Sequence, residues 1–309
     1  MSTGLLLVQA LNGLQFGVLL FLVAAGLTLV FGVMDFINLA HGVQYMLGAY
    51  LGASFAAATG GSFWLGLLLA LPAALACGLA LEWLVFRHLY DRDHLSQVLA
   101  TFGVILFLNQ AVKAIWGTAP LQVPTPALLQ GGIEVMPGLR YPVYRIAILA
   151  AGLATAGLLW LLVERTRAGA LVRAGATNAP MVAALGVDIR RLFMLVFGFG
   201  AMLAGFAGVM AAPILSIEPG MGDTVLILAF VVIVIGGIGS VRGAFLAALL
   251  VGLVETLGRS LMPDLMRLFL APSPARQAGA AIGSMLVYVA MALILAVRPR
   301  GLFPARAAG

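Results

Sequence analysis

A short polar stretch, GVMDFINLAHG at residues 32–42, interrupts an apolar N-terminal region. Asp35, Asn38 and His41 follow one another in steps of three, and the same spacing would keep Asn38, His41 and Gln44 near one side of a helix. An acid, an amide and an imidazole in this arrangement could relay protons or contact a polar solute. The first 86 residues contain no Lys or Arg, and the only acids there are Asp35 and Glu82. Polar groups this rare in such a background are candidates for function.

The composition indicates the class of protein that holds these groups. Of 309 residues, 63% are hydrophobic and 9% are charged, and the mean hydropathy is +1.12. Soluble domains carry about 25% charged residues, so we predict an all-α polytopic membrane protein. The 38 glycines agree with this prediction, because small residues allow membrane helices to approach closely. The net charge of +6 is scattered over short loops, which argues against a nucleic-acid-binding face.

Eight or nine hydrophobic segments could cross a bilayer, for which a helix needs about 20 residues. They lie at about 5–31, 36–58, 64–86, 95–116, 143–163, 193–215, 224–240, 243–258 and 280–297. The short segments seven and eight are nearly contiguous, so they form either a helical hairpin or two half-helices that meet within the membrane. We expect one transmembrane domain over 1–309, with a first half at about 5–116 and a second at about 143–297.

Loop charge predicts the orientation. The segment 164–192 holds five arginines, the densest basic cluster, and the positive-inside rule places it in the cytoplasm. Counting crossings then places the N-terminus outside and the C-terminus inside. The connector 117–142, which is rich in Pro and Gly, becomes an ordered external loop. The segment 259–279 is also external by this count, and its run RSLMPDLMRLFLAP is interpreted as an amphipathic surface helix.

The polar stretch has a weak counterpart about 200 residues later, in VIVIGGIGSVRGAFLAALLVGL, where Gly243 corresponds to Gly42. Transporters often contain two halves in inverted orientation, whose broken helices line the pathway. Backbone freed by such a break is tolerated only where it faces protein or a water-filled cavity. The residues expected to line a pathway are Asn38, His41, Gly42, Gln44, Gly236, Gly237, Gly239 and Ser240.

Two members of the polar stretch have alternative interpretations. Asp35 lies either in the pathway or at the membrane interface, where a carboxylate costs much less free energy than at the bilayer centre. His41 is either a proton relay or a structural, hydrogen-bonded histidine. The residues alone do not decide between these alternatives.

The sequence contains no recognisable catalytic constellation. The single lysine, Lys113, follows no glycine-rich loop, so the chain has no P-loop for ATP. Cys77 stands alone, which excludes a Cys/His zinc motif, and neither HExxH nor GxSxG occurs. The remaining acids form no evident pair. We therefore predict a protein that is not an enzyme and that holds no cofactor and no metal.

The cytoplasmic segment has a pattern of its own in MVAALGVDIRRLF. It predicts a short helix over 179–185, a stop at Gly186 and a new helix capped by Asp188. An exposed short helix of this kind could contact a partner that supplies energy. The alternative is an ordinary basic linker between two spans.

Three stretches together resemble one family. GLTLVFGVMDFINLAHGVQYMLGAY, RAGATNAPMVAALGVDIRRLF and FVVIVIGGIGSVRGAFLAALLVGLVE are similar to the permease subunits of branched-chain amino-acid ABC importers of the LivH type. The three stretches occur in the expected order and cover nearly the whole chain. Asp35 departs from this resemblance, since family members commonly carry other residues there.

The resemblance implies an ATP-driven importer of branched-chain amino acids in the bacterial inner membrane. In such a system this subunit would contact membrane lipid, a second related permease subunit, two cytoplasmic ATPase subunits and a periplasmic substrate-binding protein. It also implies a coupling segment that docks on the ATPase through Arg173, Asn178, Met181, Leu185, Gly186 and Asp188.

Other functions remain open at this point. Relatives of such permeases carry urea or short-chain amides, and the sequence does not separate these substrates. A proton-coupled secondary transporter would use Asp35 and His41 as its titratable groups. An intramembrane hydrolase would need paired catalytic groups, which the sequence does not show.

Overall fold

The computed structural model describes residues 3–303, so positions 1–2 and 304–309 of the predicted single domain lie outside the described part. The helices and strands are α1 Thr3–Met34, α2 His41–Ala58, α3 Phe63–Leu84, α4 His94–Trp116, β1 Gly132–Met136, β2 Leu139–Pro142, α5 Val143–Arg165, α6 Arg167–Ala184, α7 Ile189–Ala211, α8 Met221–Gly236, α9 Val241–Met266 and α10 Pro272–Val297. Within residues 3–303, seven helices are long and apolar enough to cross a membrane. The prediction of an all-α polytopic membrane protein is confirmed.

Side-chain caps explain where several helices begin. The Asp93 carboxylate accepts a hydrogen bond from the Ser96 N–H (3.1 Å) at the start of α4. Asp188 accepts from the Arg191 N–H (3.1 Å) at α7, and Ser240 accepts from the Gly243 N–H (3.1 Å) at α9. Each bond satisfies a backbone donor that the first helical turn leaves free. The hydrogen bonds from Ser96 also lower the pKa of the exposed Asp93 carboxyl.

The bundle has two ends, which we name after the chain termini. At the N-terminal end, an isolated β-bridge joins Leu121 to Ile217, and the Tyr144 hydroxyl donates to the Met210 carbonyl (2.9 Å). This end gathers the start of α1, the β-hairpin and the connections 59–62, 117–142, 212–220 and 267–271. The C-terminal end gathers 35–40, 85–93, α6, 237–240 and 298–303. The Leu302 N–H, for example, donates to the Ile235 carbonyl there (2.8 Å).

Nine of the ten described helices run alternately between these ends, and α6 is the exception. Helix α1 lies at the centre, and its side chains from Val18 to Ala25 are almost completely buried. It packs antiparallel on α9 through close approaches of Gly13 to Gly252 and of Gly17 to Ala248. A helix buried on all sides must be apolar on all sides, which matches the uncharged first span.

Helix α2 begins deep in the bundle. The first residue of α2, His41, contacts the carbonyl oxygen of Val23 through Nε2 (3.0 Å), eleven residues before α1 ends. At 1.5 Å per residue, this contact lies about 16 Å from the end of α1. The expected span 36–58 was therefore too long at its start. Asp35 remains exposed at the C-terminal end with a φ of 48°, consistent with the interfacial alternative.

The segments predicted at 224–240 and 243–258 form a helical hairpin of unequal arms. Helix α8 has 16 residues, whereas α9 has 26 and ends at Met266. The run that was expected to form a surface helix therefore consists mainly of the last turns of α9 and the following connection. Arg259 lies within α9, where its charge is paired with Glu255 one turn earlier.

The two halves are related by an inverted arrangement. Helices α2 and α8 start side by side, and a Cβ added to either Gly42 or Gly222 would overlap the carbonyl oxygen of the other. Helices α1 and α7, which precede them, are antiparallel and approach each other reciprocally at Gly26 and Gly200. Gly42 therefore corresponds to Gly222. The expected correspondence to Gly243 was wrong, since α1–α2 and α8–α9 run in the same direction.

The inverted arrangement extends to the next pair of helices. Helix α3 packs antiparallel on α7, where a Cβ on Gly78 would overlap Ala201. Helix α9 packs antiparallel on α1 through Gly252. Glu82 follows Gly78 by four residues, and Glu255 follows Gly252 by three. The two halves thus place one glutamate each near opposite ends of the bundle.

Candidate functional site

A cavity of about 830 Å³ lies near the N-terminal end, between α1, α8 and α9. Small-molecule sites commonly have volumes of about 300–1,000 Å³. The polar part of its lining comprises Gln9, Ser216, Glu218, Thr224, Glu255, Thr256, Arg259 and Ser260. The apolar part comprises Phe16, Leu215, Met221, Val225 and Leu228, with Tyr45 beside them. The cavity therefore has one polar and one apolar wall.

The charged groups of the polar wall are unequally exposed. The Glu255 side chain is only 7% exposed, and its Oε1 accepts a hydrogen bond from Nε of Arg259. Its other oxygen, Oε2, is buried and has no hydrogen-bond partner among the described residues. The Arg259 side chain is 58% exposed. Glu218, the third charged group of the lining, is exposed.

Sequence reasoning missed Glu255, which it counted among the acids that form no evident pair. The eighth segment was ended at residue 258, whereas α9 continues for two further turns. The available signal was the spacing of Glu255 and Arg259, because residues four apart share one face of a helix. A charged pair four residues apart within a long apolar helix indicates a buried polar position.

The predicted pathway residues of the first half do not line this cavity. Asn38, His41, Gly42 and Gln44 are all buried where α2 starts against α1 and α8. The Gln44 side chain lies beside the His41 ring. The Asn38 amide is buried, and the described residues offer it no hydrogen-bond partner. These groups lie in the interior of the bundle, and Tyr45, which follows Gln44 on α2, lines the cavity.

The predicted pathway residues of the second half lie at the C-terminal end. Gly236 is packed against Gly243, and Gly237 has a φ of 99° where α8 ends. Gly239 approaches Gly32 at the end of α1, with 2.6 Å between an added Cβ on Gly32 and the Cα of Gly239. Ser240 caps α9. The structure therefore places this set away from the N-terminal cavity and assigns it to a tight turn between helices.

The segment 164–192 has the predicted short helix at its end. Helix α6 is kinked at Asn178 (φ −156°, ψ 85°), whose side-chain oxygen accepts from the Met181 N–H at 2.9 Å. The turn after the kink ends at Leu185, and Gly186 follows with a φ of 88°. Asp188 then caps α7. The part before the kink, 167–177, was expected to be a loop and is helical.

The short helix exposes apolar side chains at the C-terminal end. Met181 is 59% exposed and Leu185 is 78% exposed. Arg173, in the part of α6 before the kink, donates to the carbonyl oxygen of Val163. This bond ties α6 back to the end of α5. The arrangement presents a fixed apolar edge flanked by basic residues.

A second, smaller cavity of about 190 Å³ lies next to this segment. It is lined by Glu82, Arg87, Asp188, Arg190, Arg191 and Met194. The buried Glu82 accepts a hydrogen bond from the Tyr90 hydroxyl at 2.9 Å. Burial raises the pKa of the Tyr90 phenol, and the charge of Glu82 raises it further. The phenol therefore keeps its proton.

Comparison with known proteins identifies the family of this chain. Residues 9–297 match a family described as "Branched-chain amino acid transport system / permease component". The chain belongs to this permease family. BraD of Pseudomonas aeruginosa, a high-affinity branched-chain amino acid transport system permease protein, is 33% identical over 267 residues, which are 83% of this chain and 87% of BraD. No solved structure matches the permease.

Two Escherichia coli proteins with the same description as BraD are also similar to the permease. LivH is 30% identical over 273 residues, which cover 81% of this chain and 84% of LivH. LivM is 30% identical over 263 residues, covering 77% of this chain and 60% of LivM. The resemblance to branched-chain amino-acid permeases is therefore confirmed, and the chain is a multi-pass membrane protein with a transport role.

Proposed function

We propose that this permease forms part of the translocation pathway of an ATP-driven importer for branched-chain amino acids in the bacterial inner membrane. The observation that carries the proposal is the family match over residues 9–297, with relatives described as branched-chain amino-acid permeases. Similarity to both LivH and LivM supports a pore formed with a second, related permease. Two ATPase subunits would provide the energy, and a periplasmic binding protein would deliver the substrate.

The exposed short helix supports a docking role for the C-terminal end. Met181 and Leu185 present apolar surface there, and Asn178 and Asp188 fix the two ends of the turn through their caps. Gly186 permits the left-handed conformation between them. With Arg173, these residues form the coupling segment in the proposed complex. The basic character of the segment supports a cytoplasmic position for this end.

The buried polar residues of the first half have a supporting part in the proposal. His41 holds the start of α2 on the middle of α1, and Asn38 and Gln44 supply further polar groups there. Polar side chains inside a membrane bundle are tolerated where they face protein or water. Movement of α2 against α8 at Gly42 would change the shape of the N-terminal cavity, because both helices contribute to its lining. At the opposite end, the tight turn between α8 and α9 would transmit movement from one of these helices to the other. This turn contains Gly236, Gly237, Gly239 and Ser240.

Reconstitution tests the proposed function. Proteoliposomes would contain this chain, its partner permease and the ATPases, with binding protein and radiolabelled leucine outside. We expect leucine uptake only with ATP inside and binding protein outside, and no uptake by this chain alone. Uptake by this chain alone, or uptake abolished by a proton uncoupler while ATP is present, would overturn the proposal. Labelled urea, in place of leucine and with the same proteins, tests the alternative substrate.

A further inference from the structure

We infer that the N-terminal cavity binds its substrate as a zwitterion, with Glu255 accepting the ammonium group and Arg259 contacting the carboxylate. The apolar wall would enclose an aliphatic side chain. The inference rests on the proposed function, because it concerns an imported amino acid. It adds the residues that recognise the substrate within the membrane subunit, and these residues lie outside every set that the sequence predicted.

The free oxygen of Glu255 is the first argument. Its Oε2 is buried and has no hydrogen-bond partner among the described residues, although it belongs to a residue that lines the cavity. A buried acceptor without a donor costs about 1–3 kcal/mol, and more when it is charged. An ammonium group in the cavity would supply the donor. Burial of the carboxylate strengthens such an interaction, because water competes little at a buried oxygen.

The position of Arg259 is the second argument. Only its Nε is engaged, by Oε1 of Glu255, in the described part of the chain. The remaining N–H groups of the guanidinium can donate to a carboxylate, for which their planar arrangement is well suited. Because Glu255 and Arg259 are four residues apart on one helix, they present opposite charges side by side. An α-amino acid carries its two charges at a similarly short separation.

The apolar wall is the third argument. Phe16 on α1 and Met221, Val225 and Leu228 on α8 line the same cavity as the charged pair. Transfer of an aliphatic side chain from water to such a wall is favourable, by about 0.8 kcal/mol per buried CH₂ group. Urea has neither charges for the pair nor carbon chain for the wall. The lining therefore favours a zwitterionic aliphatic amino acid over a neutral amide.

Ligand analogues test the inference on the unmodified protein. The full-length chain, assembled with its permease and ATPase partners in lipid nanodiscs and without binding protein, would be titrated with radiolabelled leucine. Leucinamide lacks the carboxylate, 4-methylpentanoate lacks the ammonium group, and urea lacks the aliphatic chain. Each should compete at least about tenfold more weakly than leucine, as expected for the loss of a charge-assisted hydrogen bond or of apolar contact.

Variants test the named residues. Glu255→Gln and Arg259→Met should each weaken leucine binding by about 10- to 100-fold. Asp264→Asn and Arg267→Gln are matched controls, because these two residues form an exposed ion pair at the end of the same helix. The controls should bind leucine like the unmodified chain. If Glu255→Gln does not give a folded protein, the analogue series decides.

Three results would overturn the inference. They are the absence of leucine binding to the unmodified complex, unchanged binding by Glu255→Gln, and equal competition by urea or 4-methylpentanoate. A measurement of ATP-driven leucine uptake distinguishes failure of the zwitterion site from failure of the proposed function. Normal uptake together with unaltered binding by Glu255→Gln contradicts the zwitterion site alone. Absence of leucine uptake in the complete unmodified system contradicts the proposed function itself.

Discussion

The two halves of the bundle place a buried glutamate and a nearby arginine at opposite ends, but the surroundings differ. At the N-terminal end, Glu255 and Arg259 line a cavity of about 830 Å³, and one carboxylate oxygen lacks a partner. At the C-terminal end, Glu82 and Arg87 line a space of only about 190 Å³. There the carboxylate accepts a hydrogen bond from Tyr90. The buried glutamate thus borders an open cavity at one end and a closed space at the other.

Aromatic packing explains the closed end. Phe36 contacts Phe86 and Tyr90, with ring centroids 5.5 and 5.7 Å apart, and Tyr90 contacts Phe193 at 5.5 Å. Phe197 completes this cluster against Phe86. Aromatic pairs in such edge and tilted arrangements contribute about 0.5–1.5 kcal/mol each beyond their buried area. Two inverted halves can therefore share one arrangement of helices while their side chains fill the space at one end only.

The largest effect is expected for variants that disrupt the contact between the two halves. Gly42→Val and Gly222→Val each place side-chain atoms where the other helix has its backbone, since even a Cβ overlaps a carbonyl oxygen there. Overpacking of a tight core usually costs about 1–3 kcal/mol, and here the obstacle is backbone. We expect either variant to lose the monodisperse peak of the detergent-solubilised protein in size-exclusion chromatography.

Gly103→Val is the matched control for this prediction. A Cβ at Gly103, within α4, meets no atom within 4 Å. This variant should elute like the unmodified chain, because the added side chain projects into open space. Equal behaviour of the Gly42 and Gly103 variants would show that the two halves do not meet as the structure indicates.

The next largest effect is expected for variants of the coupling segment, which test whether the two ends of the bundle have different functions. Leu185→Asp places a charge on the exposed apolar edge of the coupling segment, and Gly186→Pro is incompatible with a φ of 88°. Both variants should insert normally and lose ATP-driven leucine uptake in proteoliposomes. Leu268→Asp is the control, because Leu268 is similarly exposed at the N-terminal end. Its uptake should stay near that of the unmodified chain, and full uptake by both Leu185→Asp and Gly186→Pro would contradict the docking role.

Much of the fold follows from the sequence, because long apolar segments leave few alternatives to membrane helices. The boundaries were less predictable where helices start or end inside the bundle. The start of α2 depends on the contact of His41 with Val23, eighteen residues away, which no local pattern shows. The length of α9 was underestimated because its last two turns carry Arg259 and Asp264, which pair with Glu255 and Arg267, respectively.

The inverted relation was predictable in kind but not in register. GVM occurs at 32–34 near the end of α1 and again at 208–210 near the end of α7. The segments that follow reach Gly42 and Gly222 after eight and twelve residues, respectively, so a comparison without gaps misses their correspondence. The coupling segment was easier to predict, since Asn178, Gly186 and Asp188 specify caps and a turn locally. The cavity depends on contacts between distant helices and had no local signal of that kind.

Substituted-cysteine labelling tests most directly whether the N-terminal end is the outer entrance and the C-terminal end the inner one. Ser260→Cys lies in the N-terminal cavity and Arg190→Cys lines the smaller space, each in a Cys77→Ser background. A membrane-impermeant maleimide should label Ser260→Cys only from the outside, in spheroplasts. It should label Arg190→Cys only in inside-out vesicles. The reverse sidedness, or labelling of both positions from one side, would contradict the account.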